Sequence, residues 1–166
     1  MAHITAKNAY KSLEERINKF PQGAPPSKTL YQILSILFTE EEARLVAKLP
    51  IKAFRLKTAA NIWNVSQSEA YKILDNLAKK ALILDLEDNN GKKYILPPPM
   101  AGFFEFSMMR TRQDIDQKLL AELYYQYINE EEDFIKELFY STDTKLGRVY
   151  VQEEVLTNEN EVTILD

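Results

Sequence analysis

The side chains that most often perform catalysis or bind metals are scarce in this chain of 166 residues. It contains no cysteine and a single histidine, His3, near the amino terminus. Without cysteine, disulfide bonds and thiolate metal sites are excluded within this sequence, and the serines lack a histidine base for a nucleophilic triad. The four glycines, Gly23, Gly91, Gly102 and Gly147, are too far apart for a phosphate-binding loop. We therefore expect a protein that is not an enzyme and that binds no metal or cofactor through this chain.

A second group of residues has the chemistry needed to contact DNA. Its members lie on one predicted helix and on a predicted hairpin: Gln67, Ser68, Tyr71, Lys72, Asn76, Lys79, Lys92 and Lys93. Amide and hydroxyl groups can bind base edges, and lysines suit phosphates. Against this role, Glu69 and Asp75 lie on the same helix, and no arginine occurs from Lys57 to Met109. Because arginine is the commonest side chain that recognises guanine, the pattern favours protein binding, with DNA binding as the alternative.

A third group is the acidic run Glu130, Glu131, Glu132 and Asp133. Residues 1–99 contain 15 Lys or Arg and 10 Asp or Glu, whereas residues 100–166 contain 6 and 15. This asymmetry makes the acidic run a candidate docking site for a basic protein partner. The alternative is structural, since acids in the first turn of a helix that Asn129 caps would complement its dipole.

The candidate DNA contacts depend on the elements of residues 56–96. A short apolar helix comes first, and Ser66 to Glu69 has the capping-box pattern that starts a longer one. Apolar residues at helical spacing predict the buried face of that second helix: Ala70, Ile73, Leu74, Leu77 and Ala81. Alternating leucines from Leu82 to Leu86 predict a strand, and Asn90-Gly91 is a favoured hairpin turn. Helix, turn, helix and hairpin in this order are typical of a winged helix.

The flanking segments predict further helices. Helical spacing covers 6–20, Ser27 caps a second helix, and the capping box of Thr39 to Glu42 starts a third. After Pro97 to Pro99, the pattern predicts a short apolar helix over 100–110, a long helix over 111–129, a final helix and an extended tail. The short apolar helix is expected to pack in the core, with an exposed partner surface as the alternative. We expect a mainly α (α+β) fold, with a winged-helix domain at 1–99 and an acidic helical extension at 100–166 packed against it.

Targeting signals are also missing from the sequence pattern. No apolar run approaches the roughly 20 residues that a membrane span needs. The amino terminus is amphipathic and lacks the apolar core of a signal peptide. We therefore expect a cytoplasmic protein that makes no membrane contact.

Four long and compositionally unusual strings carry a family resemblance. They are FPQGAPPS at 20–27, LFTEEEARLVAKLPIKAF at 37–54, YILPPPMAGFFEFSMMR at 94–110 and DIDQKLLAELYYQY at 114–127. Together they resemble the N-terminal region of a bacterial family of 4Fe-4S ferredoxin-type proteins, over about Tyr10 to Tyr150. In that family the region precedes a cysteine-rich module that carries the iron-sulfur clusters.

The resemblance implies an accessory domain of an electron-transfer protein that acts by protein interaction. A 4Fe-4S cluster needs four thiolates, so the cluster is expected only in a C-terminal module that this chain lacks. The abrupt end at Asp166 leads us to expect that such a module continues the polypeptide. The partner is then either this module or a separate basic protein. The alternative function is a winged-helix DNA-binding regulator.

Overall fold

The computed structural model describes residues 2–20, 22–89 and 91–140, with side chains from Asn8 onward. The protein is mainly helical and has a small three-stranded antiparallel sheet. The helices are α1 (Ala2–Ile17), α2 (Lys28–Leu37), α3 (Glu40–Val46), α4 (Leu56–Trp63), α5 (Gln67–Lys79), α6 (Phe104–Met108), α7 (Gln117–Tyr125) and α8 (Glu132–Phe139); the strands are β1 (Phe54–Arg55), β2 (Leu84–Asp88) and β3 (Gly91–Ile95). None of the helices in the described ranges is long and apolar enough to cross a membrane. The predicted extended tail lies outside the described residues.

The predicted starts of α2 and α3 are confirmed, whereas α1 spans Ala2–Ile17 in place of the predicted 6–20. The Ser27 hydroxyl accepts a hydrogen bond of 3.0 Å from the backbone N–H of Leu30. At α3 the capping box is complete, because the Thr39 hydroxyl and the Glu42 carboxylate each accept from the other residue's backbone N–H. Such bonds satisfy N–H groups that have no partner within the helix. Local sequence therefore determines where these helices begin.

The turn between α4 and α5 is equally well defined. Asn64 ends α4 in the left-handed conformation, with φ 55°, which asparagine tolerates better than most residues. The Ser66 hydroxyl then caps α5 by accepting 3.1 Å from Glu69 N–H. The indole N–H of Trp63 donates to the Leu45 carbonyl at 2.8 Å and so ties α4 to α3. The buried face of α5 consists of Ala70, Leu74 and Leu77.

The sheet has the strand order β1-β3-β2. The hairpin prediction is confirmed, but the turn is placed differently. Gly91 pairs with Asp88 and is the first residue of β3, with φ +97°, whereas Asn90 lies outside the described residues. The strand alternation was also predicted too early, because Leu82 and Ile83 are both buried ahead of β2 while Leu86 is 52% exposed.

The predicted apolar helix over 100–110 is only partly formed. Ala101 adopts φ 52°, and the backbone is not helical from Met100 to Gly102. A Cβ at Gly102 would lie 3.2 Å from the Pro97 side chain, a tight contact that glycine avoids. The helix α6 therefore begins only at Phe104.

The single helix predicted over 111–129 was wrong. Asp116 caps α7 by accepting from Leu119 N–H at 3.0 Å, so the helix begins at Gln117. It ends in one π-helical turn, Gln126–Glu130, closed by a bond of 2.9 Å from Glu131 N–H to the Gln126 carbonyl. The residue that precedes α8 is consequently Glu131 and not the predicted Asn129.

A ladder of aromatic rings joins the two halves of the sequence. The ring centroids of Phe103 and Phe38 are 6.1 Å apart in an edge-to-face arrangement, and those of Phe104 and Tyr124 are 4.9 Å apart. The Tyr127 hydroxyl donates to the Pro25 carbonyl at 2.8 Å. Edge-to-face ring pairs add to the stability that burial alone provides. Residues before and after the predicted boundary at 99 thus belong to one hydrophobic core.

Candidate interaction surfaces on α5, the hairpin and α6

The first half of α5 presents part of the predicted DNA-contacting group to solvent. Gln67, Ser68, Tyr71 and Lys72 are exposed, and Tyr71 is 46% exposed to solvent. Their spacing of one, three and four residues places them on one side of the helix. The structure therefore brings these four side chains together.

The remaining predicted cations are paired with carboxylates. The pairs are Lys79 with Asp75 at 2.7 Å, Lys92 with Asp85 at 2.7 Å, and Lys93 with Asp88. Residues 66–95 contain five acidic and five basic side chains. The surface of α5 and the hairpin therefore has no net positive charge.

These pairs also alter the acid–base properties of their members. The hydrogen bond that Lys79 donates to Asp75 raises the pKa of Lys79, and the one that Lys92 donates to Asp85 raises the pKa of Lys92. In turn, the bond from Lys92 lowers the pKa of Asp85. These shifts favour the charged forms of Lys79, Lys92 and Asp85.

Asn76 makes a contact that the sequence did not predict. Its amide donates to the Glu42 carboxylate at 2.9 Å, and the Lys80 ammonium donates to the same oxygen at 2.6 Å. The other oxygen of Glu42 accepts from the Thr39 backbone N–H at 3.0 Å. Glu42 is only 8% exposed. Asn76 therefore stabilises a buried carboxylate, and the contact between α3 and α5 occupies the amide that was expected to recognise a base.

A groove of about 370 Å³ separates α3 from the exposed part of α5. The carboxylates of Glu41, Glu42 and Glu69 line it together with Lys72. Because nucleic-acid affinity comes mainly from neutralising phosphates with cations, carboxylates beside α5 weaken the attraction for a phosphate backbone.

A more apolar groove of about 350 Å³ lies between the hairpin and α6. Its lining consists of Ala81, Leu84, Phe106, Met109 and Arg110. Met109 is 77% exposed. Leu86 projects from the same face of β2 as Leu84, since alternate residues of a strand share a face. We name this surface, with Leu86 included, the hairpin–α6 groove. Sequence analysis favoured core packing of the apolar residues of 100–110 over a partner surface, although neighbouring methionines were a signal of adaptable surface.

The predicted acidic docking site is partly used within the protein. The Thr29 hydroxyl donates to the Glu131 carboxylate. Glu132 pairs with Lys136 at 2.6 Å, and the hydrogen bond from that lysine lowers the pKa of Glu132. Only Glu132 and Asp133 lie in the first turn of α8, which corrects the prediction that all four acids do. Glu130 and Asp133 are exposed.

Across residues 2–20, 22–89 and 91–140, no group of three or more His, Cys, Asp or Glu residues is arranged to hold a metal ion. No family model, curated protein or solved structure matches this chain. The resemblance to ferredoxin-type proteins therefore stays a prediction.

Proposed function

We propose that this chain is a non-catalytic protein-interaction domain and that its partner docks in the hairpin–α6 groove. The observation that carries the proposal is the exposure of two large apolar side chains there, Leu86 at 52% and Met109 at 77%. Apolar side chains grouped on a concave surface mark protein interfaces more often than scattered ones do. Arg110 lines the same groove, and Met and Arg are both enriched at interfaces.

We also infer that α3 through β3 form a winged helix. The order helix, strand, helix, helix, strand, strand supports this, as does the sheet order β1-β3-β2. Three residues, 64–66, separate α4 from α5, which is the usual length of a helix-turn-helix connection. In this arrangement α5 is the helix that a DNA-binding member would place in the major groove.

The charge pairing on α5 and the hairpin supports protein binding over DNA binding. Each phosphate contact by Lys79, Lys92 or Lys93 would require exchange of an ion pair that already exists. Counterion release from DNA would then be offset by the loss of that pair. The acidic lining between α3 and α5 adds repulsion. We therefore place the DNA-binding regulator second.

The class of partner in this proposal comes from the sequence resemblance. It implies a 4Fe-4S ferredoxin-like module, either on the same polypeptide or on a separate chain. Docking there would serve to orient the cluster-bearing module towards its redox partner. The chain itself supplies no thiolate, so the cluster belongs entirely to that module.

The partner can be tested by anaerobic isolation of the tagged 166-residue chain from its native cells, so that an iron-containing module is retained only if it docks. We expect an iron-containing protein to be retained in a stoichiometric amount by the wild type. The double variant Leu86→Ser, Met109→Ser should lose it, because the change removes the exposed apolar contacts. Leu119→Ser is the matched control, since Leu119 is 43% exposed on α7, an element that contributes no residue to the groove. Retention that does not depend on the groove would contradict the proposal.

The DNA-binding alternative has its own test. Fluorescence anisotropy with a short duplex at physiological salt should show no saturation below about 100 µM, the weak end of non-specific binding under that condition. Submicromolar binding that disappears when Lys72, Lys79, Lys92 and Lys93 are all changed to alanine would instead establish the regulator.

A further inference from the structure

A small polar cavity lies where the two halves of the chain meet. Its volume is about 150 Å³. The end of α2, the end of α5 and the segment before α7 form its lining: Ser35, Ile36, Leu37, Phe38, Thr39, Lys80, Arg112, Asp114 and Ile115. Ligand pockets for drug-sized molecules have volumes of about 300–1,000 Å³. The cavity therefore suits a single small group.

Arg112 is the unusual residue of this cavity. Its side chain is only 6% exposed. Asp114 binds it in a bidentate manner, accepting from Nε at 2.9 Å and from Nη2 at 2.6 Å. The third guanidinium nitrogen, Nη1, is buried and has no hydrogen-bond partner among the described residues. Buried polar groups are almost always hydrogen-bonded in folded proteins, so Nη1 is a donor without a partner on a residue that lines the cavity.

Two further donors line the same cavity. The Lys80 ammonium is 18% exposed and uses one of its three N–H groups on Glu42. The Thr39 oxygen accepts from Glu42 N–H at 3.2 Å, which leaves its hydroxyl proton to be donated. The hydrogen bonds from Arg112 lower the pKa of Asp114 to about 2, and Lys80 adds a smaller electrostatic effect. Both cations therefore act on the same space.

We propose that this cavity binds a small oxyanion of the phosphate class through Arg112, Lys80 and Thr39. Guanidinium groups favour phosphate because their N–H groups match its oxygen atoms. The cavity is too small to enclose a whole nucleotide. We therefore take the free ion as the ligand. The negative charges of Asp114 and Glu42 cancel the positive charges of Arg112 and Lys80. Recognition of the anion therefore depends on hydrogen bonds and not on net charge, and we expect the binding to be weak.

The lining also indicates what binding would do. Lys80 and Thr39 precede the prolines at 97–99, whereas Arg112 follows them. An anion held by all three residues connects the two halves of the chain. Because the ligand binds only the folded arrangement, it stabilises that arrangement by mass action.

Inorganic phosphate is the probe for the experiment. Thermal unfolding and amide NMR spectra of the 166-residue protein should be compared in sodium phosphate and in sodium chloride of equal ionic strength. We expect phosphate to raise Tm by several degrees and to shift the amide resonances of 35–39 and 112–115. Arg112→Gln should weaken phosphate binding by about tenfold or more, which equals about 1.4 kcal/mol.

Two further variants make the result specific. Lys80→Gln should weaken phosphate binding in the same direction, and it provides an independent test if Arg112→Gln does not fold. Lys118→Gln removes an exposed lysine of α7 and should bind phosphate as the wild type does. Equal Tm values in the two salts, or resonance shifts confined to other residues, would overturn the proposal.

Discussion

We predict that Glu42 contributes more to the free energy of unfolding than an exposed acidic residue in the first turn of a helix does. Its carboxylate binds the Lys80 ammonium, the Asn76 amide and the backbone N–H of Thr39 at the same time. Its side chain is 11% exposed, and that of Lys80 is 18% exposed. Glu42→Ala removes all three bonds and leaves a mostly buried ammonium without its carboxylate.

The expected loss of stability is about 3–4 kcal/mol. Removal of one member of a buried ion pair costs about 3–5 kcal/mol. Because Lys80 is partly exposed and can turn towards solvent, we expect the cost of leaving it unpaired to lie at the lower end of this range. Loss of the reciprocal cap bond adds up to about 1 kcal/mol. For a chain of this size, the total should lower Tm by about 10 °C.

Urea unfolding followed by far-UV circular dichroism measures this effect. Glu41→Ala is the matched control, since Glu41 is exposed in the same first turn; it should cost less than about 1 kcal/mol, from the helix dipole alone. Adding Lys80→Met to Glu42→Ala should recover part of the loss, because no unpaired ammonium then remains. If the two alanine variants agree within about 1 kcal/mol, the three-bond account of Glu42 is wrong.

Four further substitutions test local features. Ser66→Ala should lower the free energy of unfolding by about 1 kcal/mol in urea, since it removes the cap of α5. Ala101→Gly should raise it by about 0.5–1 kcal/mol, because Ala101 has φ 52°, whereas Ala121→Gly in α7 should lower it by about 1 kcal/mol. Arg112 lowers the pKa of Asp114 from 3.8 to about 2. The stability that Asp114→Asn removes should therefore be constant above about pH 4 and shrink as the pH falls towards 2; screening at a carboxylate that is 59% exposed keeps it below about 1 kcal/mol.

The sequence predicted those elements whose signals are local. The caps at Ser27, Thr39 and Ser66 each depend on a side chain and a backbone N–H three residues further on. Such bonds form within one turn, and the residue types alone indicate them. In the second half the prediction failed because Ala101 adopts a left-handed conformation. Alanine disfavours this region, so the packing of the surrounding chain imposes it and no local pattern reveals it.

The contacts of the candidate surfaces were less predictable for the same reason. Helical spacing placed Asn76 on the outer side of α5, and it is indeed exposed. Spacing could not show that Glu42, 34 residues earlier in the chain, approaches its amide. The same limit applies to Arg112 and Lys80, which come together only when the two halves pack. Periodicity defines the side of an element, whereas tertiary packing decides what that side meets.

The two proposed sites share one segment of the chain, which makes their relation testable. Met109 and Arg110 line the hairpin–α6 groove, and Arg112 and Asp114 line the oxyanion cavity. An anion held at Arg112 restricts the backbone that presents Met109, so we expect phosphate to tighten partner docking. Linkage then requires the partner to tighten phosphate binding by the same factor. Leu86→Ser separates the two sites, since it should weaken docking and leave the phosphate affinity of the free protein unchanged. Calorimetric titration of each ligand, with and without the other, measures the two coupling factors. Unequal factors would contradict the linkage.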